Sequence, residues 1–112
     1  MNASNTQIQM RKGIVEFCVL HIVGRGGIYA SDLIEELKDA QMIVIEGTLY
    51  PLLHRLKQEG LATYEQVESD AGPPRKYYSL TEKGHQFLND LQETWKNLNS
   101  AVNQLLSKPK NH

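Results

Sequence analysis

The chain has 112 residues, 40% hydrophobic and 22% charged, with a formal net charge of −1 and a pI near 6.4. That length allows one core of ordinary size and excludes two independent ones, and the even composition excludes a low-complexity or disordered chain. The near-neutral balance also excludes attraction to a polyanion through overall charge, so any basic surface has to be local. In chain order, the polar residues 1–7 are expected to be frayed. From about Ile8 to Val23 the apolar residues Ile14, Val15, Phe17, Cys18, Val19, Leu20, Ile22 and Val23 nearly surround a helix, which implies burial on more than one side. Arg11 and Lys12 ahead of this run imitate a signal peptide faintly. Glu16 and His21 interrupt it, however, and it is too short to span a bilayer, so it reads as a core helix in a cytoplasmic protein. The single Cys18 agrees with a reducing compartment.

Gly24, Gly26 and Gly27 stop the first helix. Ala30, Leu33, Ile34 and Leu37 then follow the i, i+3, i+4, i+7 pattern, predicting a second helix over Ala30–Ala40. A turn through Gln41–Ile45 leads to Leu49, Leu52, Leu53 and Leu56, the buried face of a third helix ending at Gly60. Pro51 is tolerated only in a first turn, which favours Thr48 as N-cap, with a start nearer Glu46 as the alternative. Two short amphipathic helices a few residues apart are the pattern of a helix-turn-helix. After Gly60 the helical period disappears. Leu61–Glu68 and Arg75–Leu80 predict two strands around the turn Ser69-Asp-Ala-Gly-Pro-Pro74. The expected fold is mainly α with a small β-hairpin, a winged helix-turn-helix over residues 1–80.

Thr81 reads as an N-cap with Glu82 in the first turn of a fourth helix that runs to about Ser107. Its apolar positions Leu88, Leu91, Trp95, Leu98, Val102 and Leu105 step by 3, 4, 3, 4 and 3, a coiled-coil seam. A helix of about 26 residues is about 39 Å long, longer than a small winged core can cover. Residues 81–112 are therefore expected to pair with a second copy, forming a homodimer whose interface these seam residues make. The alternative is that this helix lies back along the first helix of its own chain.

The Leu face of the third helix points inward, so Thr48, Tyr50, Pro51, His54, Arg55 and Gln58 face solvent with groups suited to gripping or reading DNA. Arg75 and Lys76 at the wing and Arg11 and Lys12 at the first helix add candidate phosphate contacts. Arg55, Lys57, Arg75 and Lys76 are expected to share one face. No catalytic triad, Cys-His pair or paired carboxylates is visible, His21 reads as a packed histidine, and His85 and His112 have no acidic or Cys partners at metal-ligand spacing, so neither an enzyme nor a metal or cofactor site is expected.

Two stretches carry a family likeness. Glu46-Gly-Thr-Leu-Tyr-Pro-Leu-Leu-His-Arg-Leu-Lys-Gln-Glu-Gly-Leu61 resembles the recognition-helix signature of the PadR family of bacterial transcriptional regulators. Gly72-Pro-Pro-Arg-Lys-Tyr-Tyr-Ser-Leu-Thr-Glu-Lys-Gly84 resembles that family's wing and the entry to its last helix. Arg11-Lys-Gly13 also matches, and the single C-terminal helix is similar to the family's smaller branch. The resemblance implies a cytoplasmic homodimer that represses genes from a pseudo-palindromic operator on double-stranded DNA. It places Thr48, Tyr50, Pro51, Arg55, Arg75 and Lys76 in DNA-contacting or recognition-helix roles. It also implies a small planar aromatic effector beside Trp95; read from its seam position alone, Trp95 is equally an anchor of the dimer core. The rival function is a dimeric winged-helix adaptor that binds protein and not DNA, which the acidic pI favours.

Overall fold

The computed structural model of the protein describes residues 3–42, 44 and 46–111. Its elements run α1 (Ala3–Val23), β1 (Ile28–Tyr29), α2 (Ala30–Asp39), α3 (Glu46–Gln58), β2 (Ala62–Val67), β3 (Arg75–Leu80) and α4 (Glu82–Leu106). The predicted helices and wing strands are all present. The core is formed by Val19, Leu20 and Val23 of α1, Leu33 and Leu37 of α2, and the four leucines of α3, closed by Tyr78, Leu80 and Leu88.

Three local expectations are corrected. First, α1 begins at Ala3, so residues 3–7, expected to be frayed, form its opening turns. The polarity of residues 5–7 reported exposure and not the absence of a helix. Second, the wing hairpin gains a third strand. β1 pairs antiparallel with β3 through Ile28↔Tyr78 and Tyr29↔Tyr77, giving the order β1-β3-β2. The chain reaches that edge through Gly26 and Gly27, whose φ of 135° and 108° suit glycine alone. A Cβ on Gly27 would lie 2.4 Å from the Tyr77 ring.

Third, of the two starts that Pro51 left open, the structure takes the alternative at Glu46 and not the favoured N-cap Thr48, so Thr48 is inside the helix and Pro51 is its sixth residue. Pro51 has no N–H to give the Gly47 carbonyl one turn back. Burial of Leu49, Leu52 and Leu53 on the same turns offsets that missing bond. The turn predicted at Gln41–Ile45 lies partly outside the described residues.

Both helices of the helix-turn-helix end alike. Leu61 N–H donates to the Leu56 carbonyl at 2.9 Å and Gly60 N–H to Lys57 at 3.0 Å, with Gly60 at φ 76°. Met42 and Gln41 repeat the pattern on Leu37 and Lys38 at 2.8 and 2.9 Å, with Gln41 at φ 66°. These are the paired bonds of a left-handed helix stop.

The start of α4 is fastened to the end of α3. The Thr81 hydroxyl accepts from Gly84 N–H at 3.0 Å and donates to the Gly60 carbonyl at 2.6 Å, while Thr81 N–H donates to the Leu61 carbonyl at 3.0 Å. Leu88 is buried and Leu91 half-buried against the core, but residues 93–111 are all exposed. The molecule is consequently 66 Å long against 29 and 24 Å across. Its radius of gyration of 16.9 Å exceeds the roughly 13 Å of a compact chain this size.

Candidate nucleic-acid interface

With Leu49, Leu52, Leu53 and Leu56 buried, a rotation of about 100° per residue puts Gly47, Pro51, His54 and Gln58 in the row opposite the core. All four are exposed. Tyr50 and Lys57 flank this row on the side of the wing, and Thr48 and Arg55 flank it on the side of α1.

The wing flank is organised around Tyr64 of β2. Lys76 Nζ lies 4.6 Å and Lys57 Nζ 5.3 Å from the centroid of its ring, so two cations from different elements share one aromatic ring. Lys76 reaches it because it lies on the same face of β3 as the buried Tyr78 and Leu80, the side that packs toward α3. Tyr50, His54 and Gln58 line the same hollow, of about 650 Å³. Arg75 points to the other face. Its guanidinium stacks 3.9 Å over the Tyr29 ring and donates to Ser31 Oγ at 2.8 Å, which fixes it beside the start of α2.

On the opposite flank, Arg55 forms an ion pair with Glu16 of α1. Arg11, Lys12, Thr48, Pro51 and Arg55 surround a groove floored by Ile8, Val15 and Leu52. The expectation that Arg55, Lys57, Arg75 and Lys76 share one face therefore holds only in part. Lys57 and Lys76 gather at Tyr64 and Arg75 is held on the other side of the wing at Tyr29, whereas Arg55 joins Arg11 and Lys12 across the helix. Sequence reading missed three partners that shape this surface: Tyr29, Ser31 and Tyr64. Each is separated by many residues from the cation it holds, so only the register β1-β3-β2 reveals them.

The seam residues divide. The Trp95 ring tilts against Phe17 of α1 at a centroid distance of 6.4 Å, and Gln92 Nε2 lies 3.2 Å from His21 Nδ1, so α4 does lie along α1 this far. Beyond it Leu98, Val102 and Leu105 are 49–69% exposed. Trp95 keeps an exposed edge and lines a hollow of about 370 Å³ with Phe17, Cys18, Met42 and Gln92. Burial pushes the Cys18 thiol above its ordinary pKa, which disfavours the reactive thiolate. Among the described residues no group of three or more His, Cys, Asp or Glu is placed to hold a metal ion, and no helix is long and apolar enough to cross a membrane.

A helix-turn-helix with an exposed polar row on its second helix, a three-stranded wing beside it and cations on both flanks defines a winged helix protein of the transcription-regulator class. The comparisons with known proteins agree. Residues 19–90 match the model of the transcriptional regulator PadR-like family. The chain is 33% identical to the transcriptional regulator Rv3488 of Mycobacterium tuberculosis over 73% of its own length and 76% of that protein's. A PadR-like transcription factor from Bacteroides fragilis is 54% identical, with 90% of this chain and 98% of that chain covered at a TM-score of 0.78. A PadR-like regulator from Bacillus cereus is 36% identical, covering 90% and 99% at a TM-score of 0.79. The chain belongs to the PadR-like family of transcriptional regulators.

Proposed function

We propose that this regulator is a bacterial, cytoplasmic repressor that acts as a homodimer. Residues 81–112 pair the two copies, and residues 1–80 of each present α3 to one half of a pseudo-palindromic operator. The observation that carries this reading is the exposed row Gly47, Pro51, His54 and Gln58, set between two cationic flanks. A convex helix with cations on either side matches a major groove bordered by phosphates. In this reading Lys57, Arg75 and Lys76 approach one backbone, while Arg11, Lys12 and Arg55 approach the other. Tyr50 and Thr48 supply hydroxyls beside the row. Each subunit brings a modest charge that two linked subunits multiply. A planar aromatic effector stacked on Trp95 would relieve repression by favouring a different separation of the two α3 helices. Trp95 is the single tryptophan of the chain, so its fluorescence reports occupancy directly.

The test is salt-dependent binding to the DNA upstream of the protein's own gene, with unrelated DNA as control. The expected result is selective binding whose affinity falls steeply with salt, each neutralised phosphate adding about −0.9 to the slope of log K against log salt. Binding that is absent even at low salt would transfer the function to the protein-interaction adaptor. Arg55→Ala is expected to weaken operator binding on the order of tenfold with the dimer intact, and to flatten the salt slope by about one. Unchanged affinity would remove Arg55 from the interface and leave it as a tie to Glu16.

A further inference from the structure

A lysine ammonium rides on a flexible four-carbon stem, and the rotamer freedom lost when it is pinned counts against any contact it makes. Two lysines on the wing side of α3 are held in advance. Lys57 of α3 and Lys76 of β3 place Nζ against the ring of Tyr64, at 5.3 and 4.6 Å from its centroid. That ring is itself fixed. Tyr64 stands opposite the buried Tyr78 in the β2–β3 register, and the two rings pack at a centroid distance of 5.5 Å.

What holds the lysines matters as much as where they are held. Among the described residues the ion pairs are Arg25–Glu36 and Arg55–Glu16, so no carboxylate pairs with Lys57 or Lys76. None of the residues lining the hollow they share is acidic. Glu65, next along β2, belongs to the other face of the sheet. A carboxylate would position an ammonium and cancel its charge. An aromatic ring positions it by its quadrupole and leaves the charge whole. Being close to one centroid, the two ammonium groups also lie within about 10 Å of each other, about one Debye length at 0.1 M salt, and so repel. An external polyanion relieves that repulsion.

We infer that Tyr64 is a positioning residue for DNA binding, whose ring presets Lys57 and Lys76, with their charges intact, for the phosphates of one strand. The inference rests on the operator reading above and deepens it. Its test has two parts. In the NMR spectrum of the free wild-type protein, the protons beside Nζ of Lys57 and Lys76 are expected upfield of those of the other lysines, shifted by the ring current of Tyr64. In binding to the DNA upstream of the protein's own gene, Tyr64→Leu is expected to lower affinity on the order of tenfold, the worth of two exposed cation–ring contacts. Tyr64→Phe, which keeps the ring, restores it. In a protein carrying Lys57→Ala and Lys76→Ala together, Tyr64→Leu costs nothing further, whereas a merely loosened wing would weaken both backgrounds by the same factor. Equal losses in the two backgrounds would overturn the inference and leave the operator reading standing, and so would Tyr64→Phe binding as weakly as Tyr64→Leu. Unshifted lysine protons in the wild-type protein would overturn it as well, even if the leucine variant failed to fold. Wild-type protein that binds neither this DNA nor unrelated DNA at low salt would remove the operator reading, and this role of Tyr64 with it.

Discussion

Gly84→Ala is expected to lower the stability of the protein by about 3 kcal/mol, near the top of the usual range for overpacking. A Cβ built on Gly84 would lie 2.0 Å from the carbonyl oxygen of Leu61 and 2.9 Å from its carbonyl carbon. Both neighbours are backbone, so no side chain can rotate away. That same oxygen accepts the Thr81 N–H bond, and Thr81 caps α4 through Gly84 N–H. Moving the strand end aside would therefore break the joint between the wing and the last helix as well as relieve the clash. The measurement is thermal unfolding at matched protein concentration, because coupled association makes the midpoint concentration-dependent. A fall on the order of 15 °C is expected for a domain this size. Gly13→Ala is the control of opposite sign. Gly13 sits within α1 with nothing inside 4 Å of its Cβ position, and alanine there recovers about 1 kcal/mol of helix propensity. Equal effects at the two positions would show that propensity, not the close approach to Leu61, governs Gly84.

The contrast between these glycines shows where the sequence was legible. Periodicity located α2, α3 and α4, because each carries a single apolar stripe whose spacing survives without knowledge of its partner. The turn Ser69–Pro74 likewise marked the wing, since Pro73 and Pro74 in succession interrupt any ladder. What stayed hidden depends on segments distant in sequence. β1 is two residues long and carries no alternation of its own; it exists because Tyr77 and Tyr78 of β3 offer it a register. Pro51 suggested a later start for α3 because local rules weigh the missing donor and not the burial of three leucines around it. In the candidate interface the residue types were legible but their grouping was not. Arg55 read as a neighbour of Lys76, yet Glu16 draws it to the α1 flank. The same limit applies to Gly84, which in sequence resembles any glycine near a helix start.

On the proposed homodimer, Leu98→Glu is expected to convert dimer to monomer and to abolish the proposed tight operator binding without unfolding either subunit. Leu98 is 56% exposed, so a glutamate there keeps its carboxylate in water and the helical signal should be unchanged. Its effect falls on the assembly. Leu98, Val102 and Leu105 continue the stripe of α4 past Trp95, in a molecule 66 Å long. Covering such side chains is worth about 1.5–3 kcal/mol each. A two-fold interface uses every position twice, so one substitution removes two leucines and brings two like charges toward the axis. The dissociation constant should rise by about two to four powers of ten, from the leucines alone. Operator affinity should then fall with it, because a lone subunit grips one half-site and loses the effective concentration that the second supplies. Sedimentation at micromolar concentration separates the outcomes. A variant that stays dimeric would mean that the stripe beyond Trp95 serves another partner. A monomer that still binds its operator at full strength would mean that pairing is not what gives α3 its hold on DNA.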